Sequence, residues 1–135
     1  MKEIHADDKT VREVLDKVKY IVDFFQREYR WERKHIEQLI DDLTTKFFAN
    51  YDESHERPEV QSYDRYYLGP IVLSIKKEGR SIIDGQQRLT SVTLLLIYLN
   101  NLQKDRKDSV SLEHLIFSEA YSVKSFNLQV EDRKE

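Results

Sequence analysis

The stretch Ile82-Ile83-Asp84-Gly85-Gln86-Gln87-Arg88-Leu89-Thr90 constrains this chain more than any other. A short apolar run enters a tight polar turn, and a strongly apolar segment leaves it. Leu89, Val92, Leu95, Leu96, Leu99 and Leu102 repeat at helical spacing, whereas Tyr66 to Ile75 and Ser81 to Ile83 read as strands. The pattern predicts a turn at a helix N-terminus. Backbone N–H groups and the positive end of the helix dipole converge at such a place and favour an anion. Arg88 adds a planar fork suited to phosphate oxygens, and Gly85 permits a positive φ and close approach of a phosphate to the backbone. A plainer reading competes: Asp84, three residues before Gln87, has the pattern of an N-cap with its reciprocal partner. A cap needs only those two residues, yet Asp84, Gln86, Gln87, Arg88 and Thr90 crowd together here, and capping is compatible with ligand binding.

The remaining elements follow from periodicity and punctuation. Thr10-Val11-Arg12-Glu13 is a capping-box pattern, and Val11, Val14, Leu15 and Val18 make one apolar helical face. Tyr20 to Phe25 reads as a short strand leading into a polar loop, Gln26 to Arg30. Ile36, Leu39, Ile40, Leu43 and Phe47 mark a second amphipathic helix. Residues 50 to 65, with Pro58 and many charges, lack a sustained apolar period and read as a loop, the best candidate for a lid or insertion. The polar stretch Lys76 to Arg80, with Gly79, predicts an antiparallel hairpin. Beyond the long helix, Leu112, Leu115 and Ile116 suggest a further helical turn, and Ser125 to Val130 a strand.

Composition narrows the chemistry. The 135 residues suffice for one core, and 39% hydrophobic with 35% charged content suits a soluble globule with a heavily solvated surface. With no cysteine, disulfides and thiolate chemistry are excluded. The first residues lack an apolar signal region and no segment is apolar enough to span a bilayer, so a cytoplasmic location is expected. Lysine and arginine number 22 against 25 acidic residues, a net charge of −3, which argues against a chain-wide basic surface for nucleic acid. A local patch remains: Arg27, Arg30, Arg33 and Lys34 surround Tyr29 and Trp31, cations interleaved with aromatic faces. Trp31 reads as packing and Arg27 as the better functional candidate.

Several catalytic schemes find no support. The Gly-x-x-x-x-Gly-Lys-Ser/Thr loop of P-loop NTPases is absent. His5, His35, His55 and His114 lack zinc-site spacing and read as surface residues. Asp41 and Asp42, adjacent on a helix, point about 100° apart and cannot easily share an ion. No Gly-x-Ser-x-Gly nucleophile motif occurs.

Three blocks together carry a family resemblance. Asp84-Gly85-Gln86-Gln87-Arg88-Leu89-Thr90 resembles the signature of the N-terminal domain of GmrSD-type restriction endonucleases, a group of ParB-like or sulfiredoxin-like fold. Upstream, Val22-Asp23-Phe24-Phe25-Gln26-Arg27-Glu28-Tyr29-Arg30-Trp31, followed by Gln38-Leu39-Ile40-Asp41-Asp42, is similar to that family's Ile-Pro-x-Tyr-Gln-Arg-x-Tyr-x-Trp block and its helix. Tyr67-Leu68-Gly69-Pro70-Ile71 resembles its Phe-Leu-Gly-Ser-Ile strand. The resemblance covers about residues 10 to 130. Asp23 stands where the family has proline and Phe25 where it has tyrosine, which bears on the fine geometry of that loop.

The resemblance implies an α+β fold, a small mixed sheet with packed helices and a long buried helix after the turn, and NTP binding and hydrolysis coupled to defence against foreign or modified DNA. It implies roles as well: Arg88 and Arg27 clamping phosphates, Gly85 and Gln86 presenting backbone N–H groups, Asp84 acting on Mg²⁺ or water, and Gln87 and Thr90 orienting the ligand beside Gln26. Family domains commonly continue into a C-terminal nuclease-like domain, so the chain reads as an N-terminal fragment, or a short member, able to homo-oligomerise through its long helix. Two other classes stay open: a ParB-like module that grips a DNA phosphate without turnover, and a structural module whose turn is merely a cap.

Overall fold

The computed structural model describes residues 6–22, 30–77, 79–120 and 123–130. Its elements are α1 (Val11–Leu15), β1 (Tyr20–Val22), α2 (Arg33–Asn50), a 3₁₀ helix (Arg57–Ser62), β2 (Val72–Lys76), β3 (Gly79–Asp84), α3 (Gln86–Gln103), α4 (Glu113–Ile116), β4 (Phe117–Ala120), β5 (Val123–Phe126) and β6 (Leu128–Val130). The fold is α+β, with a small mixed sheet and packed helices. The chain divides into two compact units, one of residues 1–28 and 71–135, the other of residues 29–70.

The first unit is organised around its shortest strand. β1 lies inside a four-stranded sheet of order β2-β3-β1-β6 and is parallel to both neighbours, with Val22 opposite Ile82 on one side and Val130 on the other. Tyr20, Val22 and Ile82 are buried beneath α-helical residues that supply the rest of the core, Leu15, Leu89, Val92, Leu115 and Ile116. β2 closes one edge as the antiparallel partner of β3 across the expected hairpin, and Gly79 takes a φ of 138° there, which a residue with a side chain rarely adopts. β4 and β5 form a separate two-stranded sheet whose Phe117 and Phe126 rings lie 4.7 Å apart.

Asn127 ties these pieces together. Only 1% exposed, it donates its amide N–H to Ile116 O (2.7 Å) and accepts the Tyr20 N–H (2.6 Å). Its side-chain Nδ2 donates to Leu15 O at 2.9 Å and His114 O at 3.2 Å. One residue thus satisfies carbonyls at the ends of α1 and α4 and fixes the start of β1. Tyr20 supports the same corner by donating its hydroxyl to Val14 O at 2.6 Å, and burial raises its phenol pKa against the opposing pull of Arg80.

Several expectations need correction. The Thr10–Glu13 capping box is present, but α1 ends at Leu15 because Lys17 turns the chain with a φ of 56°. The strand read from Tyr66 begins only at Val72, after Gly69 (φ 117°) and Pro70. The strand read from Ser125 to Val130 is broken into β5 and β6 by Asn127. Residues 50 to 65 are not all loop, since Pro58 sits in the first turn of the 3₁₀ helix, where its missing N–H costs nothing. α3 is not buried along its length: Leu89, Ser91, Val92 and Thr93 are buried, while Leu94, Tyr98 and Leu102 are 52%, 60% and 61% exposed. Its core neighbours in this unit reach only its first turns. Residues 23 to 25 of the strand read from Tyr20 lie outside the described residues.

In the second unit α2 forms as expected, with Leu39 buried and Phe47 stacked on Tyr51 at 5.4 Å and beside Tyr63 at 5.5 Å. Asp42 does not await a metal: it accepts from Gln38 Nε2 (2.7 Å) and Tyr66 Oη (2.9 Å), tying α2 to the segment before Pro70. Among the described residues, no helix is long and apolar enough to cross a membrane.

Asn127→Ala removes two side-chain hydrogen bonds from a buried site and is expected to lower stability by about 1–3 kcal/mol in urea unfolding. Asn127→Asp should cost more at neutral pH, because an ionised carboxylate faces the Leu15 and His114 carbonyls without a proton to donate. Part of that loss should return at acid pH, where the carboxyl O–H can donate. A loss below about 0.5 kcal/mol for Asn127→Ala, the range of ordinary surface substitutions, would contradict this role.

Candidate functional site

The polar turn follows directly from β3. Ile82 is fully buried and Asp84 is the last strand residue, paired with Val72 beside an irregularity in the β2–β3 ladder. The chain then reverses through Gly85, buried and left-handed (φ 95°, ψ 9°), which serves as the N-cap of α3 and whose carbonyl accepts the Leu89 N–H at 2.9 Å. This corrects the capping expectation. Asp84 stands one residue too early to cap α3; its Oδ1 instead accepts the Gly85 N–H at 2.9 Å, so the carboxylate stabilises the reversal itself.

α3 then fans its first side chains around the axis. Successive helical positions differ by about 100°, so Gln86, Gln87 and Arg88 leave in three directions. Gln86 and Thr90 share one face by their i, i+4 spacing. Gln87 and Ser91 share another, where the Ser91 hydroxyl donates to Gln87 O at 2.7 Å. Thr93 does the same to Leu89 O at 2.9 Å, and these back-bonds let two buried hydroxyls accompany the apolar residues. Gln86, Gln87, Arg88 and Thr90 are half-buried and Asp84 is exposed. Side chains alone therefore cannot all converge on one ligand; the backbone N–H groups of the first turn share one direction, out of the helix start.

Sheet topology sets the surroundings. β1, β3 and β6 are parallel, so their carboxyl ends share one edge, the customary side for ligands in parallel sheets. Val22, the end of β1, pairs with Ile82, two residues before Asp84. Gln26 and Arg27 follow β1 in sequence and lie outside the described residues.

A cation here would meet Asp84 first. Its Oδ1 holds Gly85 and its Oδ2 takes no hydrogen bond among the described residues, which fits Mg²⁺ bound through a single carboxylate and otherwise by water and phosphate oxygens. Among the described residues there is no group of three or more His, Asp or Glu that could hold a metal by itself.

The basic and aromatic cluster before α2 is differently disposed from a phosphate grip. Arg33 pairs with Glu37 at 2.7 Å and Lys34 with Glu32 at 3.6 Å, while Trp31 is half-buried beside His35 at 5.6 Å. The histidines are not uniformly superficial either: His55 and His114 side chains are 31% and 28% exposed. His5 lies outside the described residues.

A strand anchored by buried Ile82 and followed by a left-handed glycine, then a helix opening at the carboxyl edge of parallel strands, defines a small α+β domain with a polar turn presented at that edge. The chain matches the family model described as GmrSD restriction endonuclease, N-terminal domain, over residues 11–135, and it belongs to that family. Its context is that of restriction endonucleases. No curated protein and no solved structure matched it.

Gly85→Ala should destabilise by about 1–2 kcal/mol, the cost of placing a Cβ in the left-handed region. Asp84→Ala should also destabilise, by about 1 kcal/mol, because the N–H of buried Gly85 loses its partner. Thermal unfolding of both variants checks the pair, and an unchanged stability for Asp84→Ala would contradict the part its carboxylate plays in the reversal.

Proposed function

We propose that this domain binds the phosphates of a nucleoside triphosphate at the Asp84–Arg88 turn and hydrolyses it as the regulatory part of a modification-dependent restriction or phage-defence protein. The observation that carries the reading is the start of α3, where Gly85 in its left-handed conformation turns the first-turn N–H groups outward at the carboxyl edge of three parallel strands. An anion gains there from the helix dipole and from several donors at once. The Gly85 N–H is held by Asp84 Oδ1, so Gln86 leads the backbone donors, and Arg88, a half-buried residue in the first turn, is suited to hold a phosphate oxygen pair.

Asp84 has a different task. A carboxylate beside a phosphate repels it unless a cation intervenes, so its second oxygen is placed to hold Mg²⁺ or to orient water. The metal, when bound, would neutralise charge developing on the transferred phosphoryl group. Gln87 and Thr90, neighbours on α3 by their i, i+3 spacing, orient the ligand, with Gln26 and Arg27, which follow β1 in sequence, contributing to it. DNA and a C-terminal nuclease-like domain or subunit are the partners this reading implies.

A second reading, that the same turn grips a DNA phosphate without turnover, is favoured by the lone carboxylate at the turn. It differs in salt dependence, because DNA affinity falls steeply with salt in proportion to the phosphates neutralised.

Thermal unfolding with a panel of nucleotides and Mg²⁺ separates the readings. A nucleotide at about a hundred times its Kd should stabilise the chain by about 2.7 kcal/mol, and Arg88→Ala should abolish the shift. Asp84→Ala should remove hydrolysis by the intact protein while phosphate-dependent binding persists in weakened form. Unchanged hydrolysis in Asp84→Ala, or an undiminished shift in Arg88→Ala, would overturn these assignments.

A further inference from the structure

Two histidines of the second unit are used in the same uncommon way. At the start of α2, the N-cap residue Glu32 donates its backbone N–H to His35 Nδ1 at 2.8 Å. Just beyond the end of α2, Asp52 donates its backbone N–H to His55 Nδ1 at 3.3 Å. In both cases the ring accepts from the residue three positions earlier, the place Glu or Gln holds in a capping box.

An imidazole nitrogen can accept only while it carries no proton. We propose that His35 and His55 form proton-sensitive clasps, one at the start of α2 and one in the turn that follows it, closed while the rings are neutral and released as they protonate.

The charged surroundings set the direction. At His35, an imidazolium would lose the Glu32 N–H and place a positive charge on the first turn of an 18-residue helix, where the dipole opposes it. The groups around this turn are the carboxylates of Glu32 and Glu37, the cations of Arg33 and Lys34 already paired with them, and the Trp31 ring. His35 itself is exposed, so protons reach it freely.

His55 is the tighter cluster. Its Nδ1 also lies 2.8 Å from Tyr63 Oη, and its Nε2 lies 3.5 Å from Glu59 Oε2. With Nδ1 accepting, the ring proton sits on Nε2 and faces Glu59. Hydrogen bonds from Ser54 hold the Asp52 carboxyl below its usual range, and burial, followed by nearby charge, raises the Tyr63 phenol, so neither titrates where imidazoles do. Protonation would expel the Asp52 N–H from Nδ1 and leave the ring to donate to Tyr63 Oη, which also accepts from the Asp52 N–H. The Glu59 contact survives in either state.

The proton state of His35 thereby governs how firmly α2 begins, a few residues after Gln26 and Arg27 in the chain. Acidification that protonates the rings should loosen the start of α2 and the turn after it, and return to neutral pH should restore them.

The test is an amide and ring proton NMR titration of the whole chain between pH 7.5 and 5.5, with His35→Gln and His55→Gln alongside. Glutamine keeps an acceptor at the same place without titrating. The Glu32 amide signal should move with the midpoint of the His35 ring, and the Asp52 amide with that of the His55 ring. Each amide response should vanish in the matching glutamine variant while the His114 ring signal stays dispersed, showing an intact fold. An amide that stays still while its histidine titrates, or moves equally in the glutamine variant, would overturn the clasp at that end.

Discussion

The structure depends on a three-residue strand having parallel partners on both sides. β1 has too little length to specify its own place, yet its pairing with β3 and β6 gathers the carboxyl ends of three strands along one edge. Everything proposed for the polar turn follows from that alignment. Had β1 paired antiparallel to β3, the chain leaving Val22 would emerge at the opposite edge from Asp84. Asn127 secures the arrangement from the other end of the strand, through the Tyr20 N–H and the carbonyls of Leu15 and His114.

Local signals were the legible ones. The apolar period of α3, the glycine before it and the Thr10–Glu13 capping box are each written within a few residues, and the structure places α3 and α1 where they point. The GmrSD resemblance extends over nearly the same span as the family match. Pairing partners are less legible, because parallel strands are joined by long crossovers and nothing in Tyr20-Ile21-Val22 names Arg80-Ser81-Ile82 as its neighbour. Asn127 was hidden for a related reason: a polar residue in an alternating run looks like the solvent side of one strand, and only tertiary contacts show it to be a buried junction.

The role of Asp84 shows how a pattern can be read one residue out of place. An acidic residue three positions before glutamine satisfies a capping box equally well on paper. The backbone decides otherwise, because Gly85 takes the left-handed conformation and the N-cap position, leaving Asp84 to hold the Gly85 N–H. That shift weakens the purely structural reading of the turn and leaves a carboxylate oxygen available to a cation. Long α3 carries the opposite lesson, since its uninterrupted apolar sequence implied burial throughout while this unit covers only its first turns.

The measurement that bears most directly on the central claim is a map of backbone amide shifts as a nucleoside triphosphate with Mg²⁺ is added to the intact chain. Phosphate seated at the helix start should move the amides of Gly85, Gln86, Gln87 and Arg88 most, and inorganic triphosphate should reproduce the pattern. Changes centred on the Arg33 and Lys34 region, or no change at the α3 start while the nucleotide demonstrably binds, would contradict the account.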